Sequence, residues 1–198
     1  MRTLIKYLLK TTSHFVFLLM LMVNACSQSD SRPEPSTASD EAGKSVAIPQ
    51  IDIHSAIVTG NLDLVEQHIR AGSNINKKEA MSSSTPLMTA ATFNKIDIAK
   101  ALIDANADLN VKNNDGSTAL HIAAFFGRIE IVQLLLDANA DKMVRNGFGA
   151  TPRETVTADF ADLKPFYDML IVQLEPMGFV LDMEELQKAR VVIAMMLQ

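Results

Sequence analysis

Apolar and polar side chains are distributed along this chain in three regimes. Phe15 to Val23 is an unbroken apolar run. Residues 27–45 then carry, proline aside, no aliphatic side chain larger than alanine. From about residue 50 onward apolar positions recur three and four apart, as in Ile129, Val132, Leu135 and Leu136. That spacing lines one face of an α-helix. The first run is too short to cross a bilayer as a helix, which needs about 20 apolar residues. The polar stretch buries too little apolar surface to offset the entropy of ordering and is expected to be disordered, reaching on the order of 25 Å for roughly 20 residues. The remainder, about 150 residues, is enough for one all-α core.

The helical part repeats. With Gly60, Asn94 and Gly127 in register, three segments align at spacings of 34 and 33 residues. Ile53, Leu87 and Leu120 then coincide, as do His54, Met88 and His121, and Ala56, Ala90 and Ala123. Further on, Leu64-Val65, Ile98-Ala99 and Ile131-Val132 align, followed by Ile69, Ile103 and Leu136. A second punctuation column reads Gly72, Asn106, Asn139. Both punctuation columns hold only Gly or Asn, the residues that best tolerate left-handed backbone at a helix end. Each unit reads as two short helices. The first opens at Thr85-Pro86 or Thr118-Ala119, where Thr caps free N–H groups and Pro suits the first turn, and it ends at Asn94 or Gly127. Turn formers such as Asn113-Asn114-Asp115-Gly116 lead on to the next unit. A period of this length is the signature of a solenoid.

The motif resembles the ankyrin repeat. Residues 115–127, from Asp115-Gly116-Ser117-Thr118-Ala119-Leu120-His121 to Gly127, follow that family's D-G-x-T-P-L-H-x-A-A-x-x-G with Ala119 in place of Pro. Thr85-Pro86-Leu87-Met88-Thr89-Ala90-Ala91 repeats it with Met88 for His. Residues 101–110 and 134–141 resemble the second half, L-L-x-x-G-A-D-x-N. The first unit is degenerate, with Ile51-Asp52 for Thr-Pro, as suits an end unit exposed on one side. The resemblance covers about residues 50–155 and implies an all-α ankyrin-repeat solenoid of helix-turn-helix units. The units fall at about 50–80, 81–113 and 114–146, with a partial one from 147, inside a repeat region of 49–156.

The fourth unit opens with Gly147-Phe148-Gly149-Ala150-Thr151-Pro152, and Thr151 with Glu154 makes a capping box. It then departs: Arg153 replaces the core Leu, and Phe160 falls where Gly is expected. Two more helices are expected in residues 157–198. One covers about Asp162 to Leu174. The other starts at Asp182 and buries Leu186, Ala189, Ile193, Met196 and Leu197. An open stack needs its last apolar face covered, so this tail reads as a C-terminal helical cap; the alternative is a small partner-binding module.

The amino terminus carries Arg2, Lys6 and Lys10, then the apolar run, then Val23-Asn24-Ala25-Cys26. This arrangement resembles the signal and lipobox of bacterial lipoproteins, with residues 1–25 removed and Cys26, the single cysteine, lipidated. The alternative is an ordinary cleaved signal with an incidental thiol. The resemblance implies a tether over residues 26–48 and anchoring in the cell envelope. Ser27 after the cysteine points to the periplasmic face of the outer membrane, where two or three acyl chains would hold the protein stably.

Charge and chemistry narrow the function. The chain has 18 basic and 23 acidic residues, net −5, and losing the leader's three cations makes it more acidic. Such a surface does not suit a nucleic-acid backbone, which is bound by Lys and Arg. One cysteine allows neither an intramolecular disulfide nor a thiolate metal cluster. No serine elbow and no glycine-rich phosphate loop occurs, and no His, Cys or Ser follows Thr157. His68 reads as a polar-face residue. The resemblance implies that His54 and His121 hydrogen-bond the turns between repeats. No catalytic, cofactor or metal site is therefore expected, and the chain reads as a non-enzyme.

The family's turn tips and first helices form a concave protein-binding face. Carried over by register, it comprises Lys78, Met81, Thr92 and Phe93 from the second unit and Lys112, Asn114, Asp115, Ser117, Phe125 and Phe126 from the third. The fourth supplies Arg145, Phe148 and Ala150. The phenylalanines are expected as aromatic anchors within a polar rim, or, for Phe125 and Phe126, as packing against the neighbouring repeat. The expected function is a membrane-anchored interaction scaffold of the bacterial envelope. The alternative is an immunity or inhibitor protein neutralising a secreted toxin or enzyme.

Overall fold

The computed structural model describes residues 47–198. The expected leader, the expected lipidation site Cys26 and nearly all of the expected tether lie outside the described residues. Those residues form nine α-helices, one 3₁₀ turn and no strand. Three helix pairs follow the three aligned segments: α1 (Ile53–Val58) with α2 (Leu62–Arg70), α3 (Pro86–Thr92) with α4 (Ile96–Asp104), and α5 (Ala119–Phe125) with α6 (Ile129–Asp137). First helices pack beside first helices and second beside second, which makes an all-α solenoid.

Alanine makes the close stacking possible. Ala56, Ala90, Ala91, Ala123 and Ala124 have no exposed surface, so neighbouring first helices approach without intervening bulk. Ile57, Leu87, Leu102, Leu120 and Leu135 fill the space between the two layers. Each such side chain contributes on the order of 2 kcal/mol through burial. The punctuation columns have a backbone cause. Gly60, Asn94 and Gly127 sit at φ of 72°, 53° and 69°, and Gly72, Asn106 and Asn139 at 69°, 62° and 61°. Each ends a helix in the left-handed region, where a Cβ without a compensating polar side chain is costly.

Threonine starts the first helices. Thr85 accepts from the Met88 backbone N–H at 3.3 Å, while Met88 Sδ accepts from the Thr85 N–H at 3.4 Å, so methionine closes the same reciprocal cap as histidine. In the third repeat His121 Nδ1 lies 3.2 Å from the Thr118 N–H. In the fourth, Thr151 and Glu154 cap each other, as expected.

The tail is arranged differently from the simple cap expected for residues 157–198. After α7 (Pro152–Thr157) come α8 (Phe160–Leu174), a 3₁₀ turn (Glu175–Met177) and α9 (Met183–Met196). α7 stacks on α5, and α9 packs on both α7 and α6. α9 is thus the second helix of a complete fourth repeat, and it covers the last apolar face with Ala189, Ile193 and Leu197. The repeat architecture therefore continues past residue 156 to the end of α9. Residues 158–182 are an insert at the place where the other repeats have three-residue turns (59–61, 93–95, 126–128). Phe160 explains the break. It occupies the register of Gly127, and Ala158 after α7 is extended (φ −62°, ψ 155°), so the chain leaves the helix without the usual left-handed turn. Arg153, at the position of the core leucine, is exposed, and its Nε donates to the Ala194 carbonyl near the end of α9 at 3.3 Å.

Candidate protein-binding surface

The connections between repeats form tips that are stitched to each other. Asn114 N–H donates to Ser82 O at 2.9 Å, and Gly147 N–H donates to Asp115 O at 2.7 Å. A Cβ on Gly116 would lie 2.6 Å from Gly147 N, and one on Gly147 would lie 2.8 Å from Asp115 O, so both glycines are needed for this approach. Cations run along the tips in register. Lys78 Nζ donates to Lys112 O at 2.7 Å, and Lys112 Nζ donates to Arg145 O at 3.0 Å. Arg145 closes the series on Gly149 O (2.5 Å) and the Glu154 carboxylate (2.7 Å). Backbone donation from Thr151, then Arg145, holds the Glu154 carboxyl below its ordinary value. Lys78 and Lys112 have no carboxylate partner among the described residues and are exposed.

Around this rail, Met81 is exposed, and its carbonyl accepts from Asn114 Nδ2 at 2.9 Å. Asp115 is exposed and Phe148 half-buried. Ala150 is also half-buried, and its carbonyl accepts from His121. Ser117 is corrected from a contact residue to a structural one: it is buried, and its N–H and carbonyl are both used by Asn113 within the turn. Thr92 is half-buried, with its hydroxyl returned to the Met88 carbonyl at 3.1 Å.

The aromatic row needs the larger correction. Phe93, Phe125 and Phe126 lie at the carboxyl ends of the first helices, and the insert covers them. The Tyr167 ring stacks on Phe125 at 4.6 Å, and its hydroxyl donates to Phe125 O at 2.8 Å. Phe179 meets Phe93 edge-on at 6.1 Å and Phe126 at 5.3 Å. Phe126 is 6% exposed, so in this conformation it anchors the chain's own insert rather than a partner. Arg128 clamps the junction. Its Nη2 donates to Thr92 O (3.2 Å) and Val180 O (3.0 Å), its guanidinium lies 5.6 Å from the Phe179 ring, and burial lowers its pKa to about 10. From α9, buried Arg190 donates to Ala158 O at 2.5 Å and to the Tyr167 hydroxyl at 3.3 Å. Sequence reasoning missed Tyr167, Phe179, Arg128 and Arg190 because all four act across the break in the repeat pattern, where register gives no guide.

The histidines are structural in geometry. His54 bridges Thr89 Oγ1 (2.9 Å) and Lys77 O (2.8 Å), and His121 Nε2 donates to Ala150 O at 3.0 Å. Burial, partly opposed by that carbonyl, pushes the His121 pKa down. His68 is not on a polar face: it is buried, between Ser73 Oγ (3.1 Å) and Ile51 O (2.8 Å), and ties Ile51, just before α1, to α2. Among the described residues no group of three or more His, Cys, Asp or Glu is placed to hold a metal ion.

Stacked helix pairs and left-handed helix ends define a helical-repeat solenoid. Residues 53–146 match the family model for ankyrin repeats, in three copies, so this segment is built of ankyrin repeats. The chain is 28% identical over 115 residues to human DNA-binding protein RFXANK, an alignment covering 47% of this chain and 44% of that protein. It is 34% identical over 64 residues to protein phosphatase 1 regulatory subunit 27 of human and of mouse, covering 32% of this chain and 41% of theirs. The chain spans less than half the length of these curated relatives. Ankyrin repeats suggest a protein–protein interaction role and a protein that is not an enzyme.

Proposed function

We propose that this protein is a non-enzymatic scaffold of the bacterial cell envelope that binds another protein through the tips and first helices of its repeats. The observation that carries this reading is the rail of Lys78, Lys112 and Arg145: the two lysines each donate to the backbone of the next repeat, and Arg145 is fixed on Gly149 O and Glu154, so all three are held at a fixed spacing. Such a rail presents rigid donors beside the apolar Met81 and the half-buried Phe148, the mixture of anchor and polar rim that protein interfaces use. The regulatory subunit among the relatives agrees with a binding role. The acidic balance argues against nucleic acid as the partner. Anchoring through lipid on Cys26, and a place at the outer membrane, rest on the leader sequence alone.

The test reverses the rail. Lys78→Glu with Lys112→Glu, in the full chain in its native envelope, should leave helicity unchanged and reduce chemical crosslinking to the partner by roughly tenfold. Unchanged crosslinking sinks the surface assignment. Cys26→Ser should move the protein to the soluble fraction, and retention in the membrane fraction would refute the anchor. The acidic surface also favours an inhibitor of a basic toxin or enzyme as the second reading. An adjacent secreted-toxin gene would support it.

A further inference from the structure

We propose that residues 158–182 are a displaceable strap over a second partner-binding surface, the row Phe93, Phe125 and Phe126, and that this surface takes an aromatic-bearing helix resembling the strap. Its use in binding rests on the protein-binding reading above; its opening does not.

The first argument is how the apolar contacts divide. One core runs through all four repeats, from Ile53 to Leu197, and includes α9 through Ala189 and Ile193. The strap contacts form a separate cluster of Phe126, Tyr167, Phe179 and Leu186. Lifting the strap breaks that satellite cluster and leaves the repeat core closed, which is the arrangement of a unit that opens below the cost of global unfolding.

The second is how lightly the strap is held. α8 carries Phe160, Leu163, Phe166, Tyr167, Leu170, Ile171 and Leu174, yet only Tyr167 is fully buried, and Val172 and Val180 are more than 70% exposed. Asp162, Lys164 and Asp168 are exposed, so α8 rests on the stack by one apolar face that, Tyr167 aside, is only half-buried. The strap's one ion pair, Lys164 with Asp168, is internal to α8, and none joins it to the repeats among the described residues. What holds it is Tyr167 on Phe125, Phe179 between Phe93 and Phe126, Arg128 on Val180 O, and Arg190 on Ala158 O. Arg190 is a buried cation met only by carbonyls, a hydroxyl and the Phe160 ring. Such a charge is tolerated only while all those partners are in place, so the latch closes and releases as a unit. Gly178, at φ 81°, gives a joint at the far end.

The third is what opening reveals. Consecutive repeats place phenylalanine at their helix ends, a position that a three-residue turn alone would leave to solvent. The present occupant shows what fits: rings delivered from a helix and the turn after it.

Two measurements on the full chain test this. By hydrogen exchange, amides of residues 160–180 should exchange at least about tenfold faster than those of 98–102 and 131–135, and Phe179→Ala should speed only the strap. A labelled synthetic peptide of residues 159–181 should bind Tyr167→Ala/Phe179→Ala roughly tenfold more tightly than the wild type, and adding Phe126→Ser should abolish that binding. Exchange of strap and repeats at one common rate overturns the proposal, as does absence of peptide binding when the repeat amides stay protected. Should the double variant lose repeat protection, Tyr167→Phe replaces it: losing the hydroxyl's bonds to Phe125 O and Arg190 must speed strap exchange, and no change overturns the idea. Failure of the protein-binding reading would look different, with no crosslinks at the tips but strap exchange as described.

Discussion

At the scale of residues, the two punctuation columns reduce to one backbone requirement, and its cost differs by position. Gly127 is left-handed, and a Cβ there would also meet Leu186 Cδ1 at 2.8 Å and Ala189 Cβ at 3.1 Å. Gly72 has the same φ with nothing within 4 Å. Chemical denaturation should therefore show Gly72→Ala costing about 1 kcal/mol and Gly127→Ala about 3 kcal/mol, because the second adds overpacking to strain. Equal losses would mean that α9 does not sit where it is described. His121 supplies a second case. It is neutral in the fold, donating from Nε2 to Ala150 O, and burial lowers its pKa below the ordinary 6.5. Its contribution is complete above that value and is lost as pH falls through it, since the unfolded chain takes up a proton that the folded one resists. The melting temperature should fall between pH 7.5 and 5.5, and fall less in His121→Met; equal slopes would contradict this. Both residue roles were legible in the sequence. Gly and Asn have few reasons to share a column, and the tip-facing histidine belongs to a motif.

At the scale of elements, the sequence disclosed three helix pairs and the start of α9, but not which pair α9 completes. Asp182 caps α9 by accepting from the Glu184 and Glu185 N–H groups, a local signal that register-free reading can find. That α9 packs on α7 across an insert is not local, because the contact joins residues on either side of 158–182. Phe160 in a glycine column was the visible trace of the break, readable as an end of the repeats or as an interruption. The separate clusters make a further prediction. Replacing residues 158–182 with a three-residue Asn-Gly-Lys turn should give a folded protein with unchanged helical signature per residue in circular dichroism, a lower melting temperature and increased binding of a hydrophobic dye. Loss of cooperative unfolding would show that the strap belongs to the core.

At the scale of the whole molecule, rigid repeats place the tip residues at a fixed spacing while only one flank of the stack is covered by the insert. The candidate surface was half legible. Lys78, Met81, Lys112, Asn114, Asp115, Arg145 and Phe148 followed from register, because register sets which residues lie at the tips. Phe93 reads from register as an anchor, and Phe125 and Phe126 as anchors or as packing against the neighbouring repeat; that the insert covers all three was not legible, because it comes from outside the repeats' periodicity. Under the proposed function, the tips are the surface offered to a partner. Site-specific photo-crosslinking in the native envelope compares them directly with the opposite side of the stack, using a crosslinker at Lys112 or Phe148 and, as control, at exposed Glu130 on the second helix of the third repeat. Adducts of one discrete mass from the tip positions and none from Glu130 are the predicted result; equal adducts from both sides, or none from the tips, would contradict it.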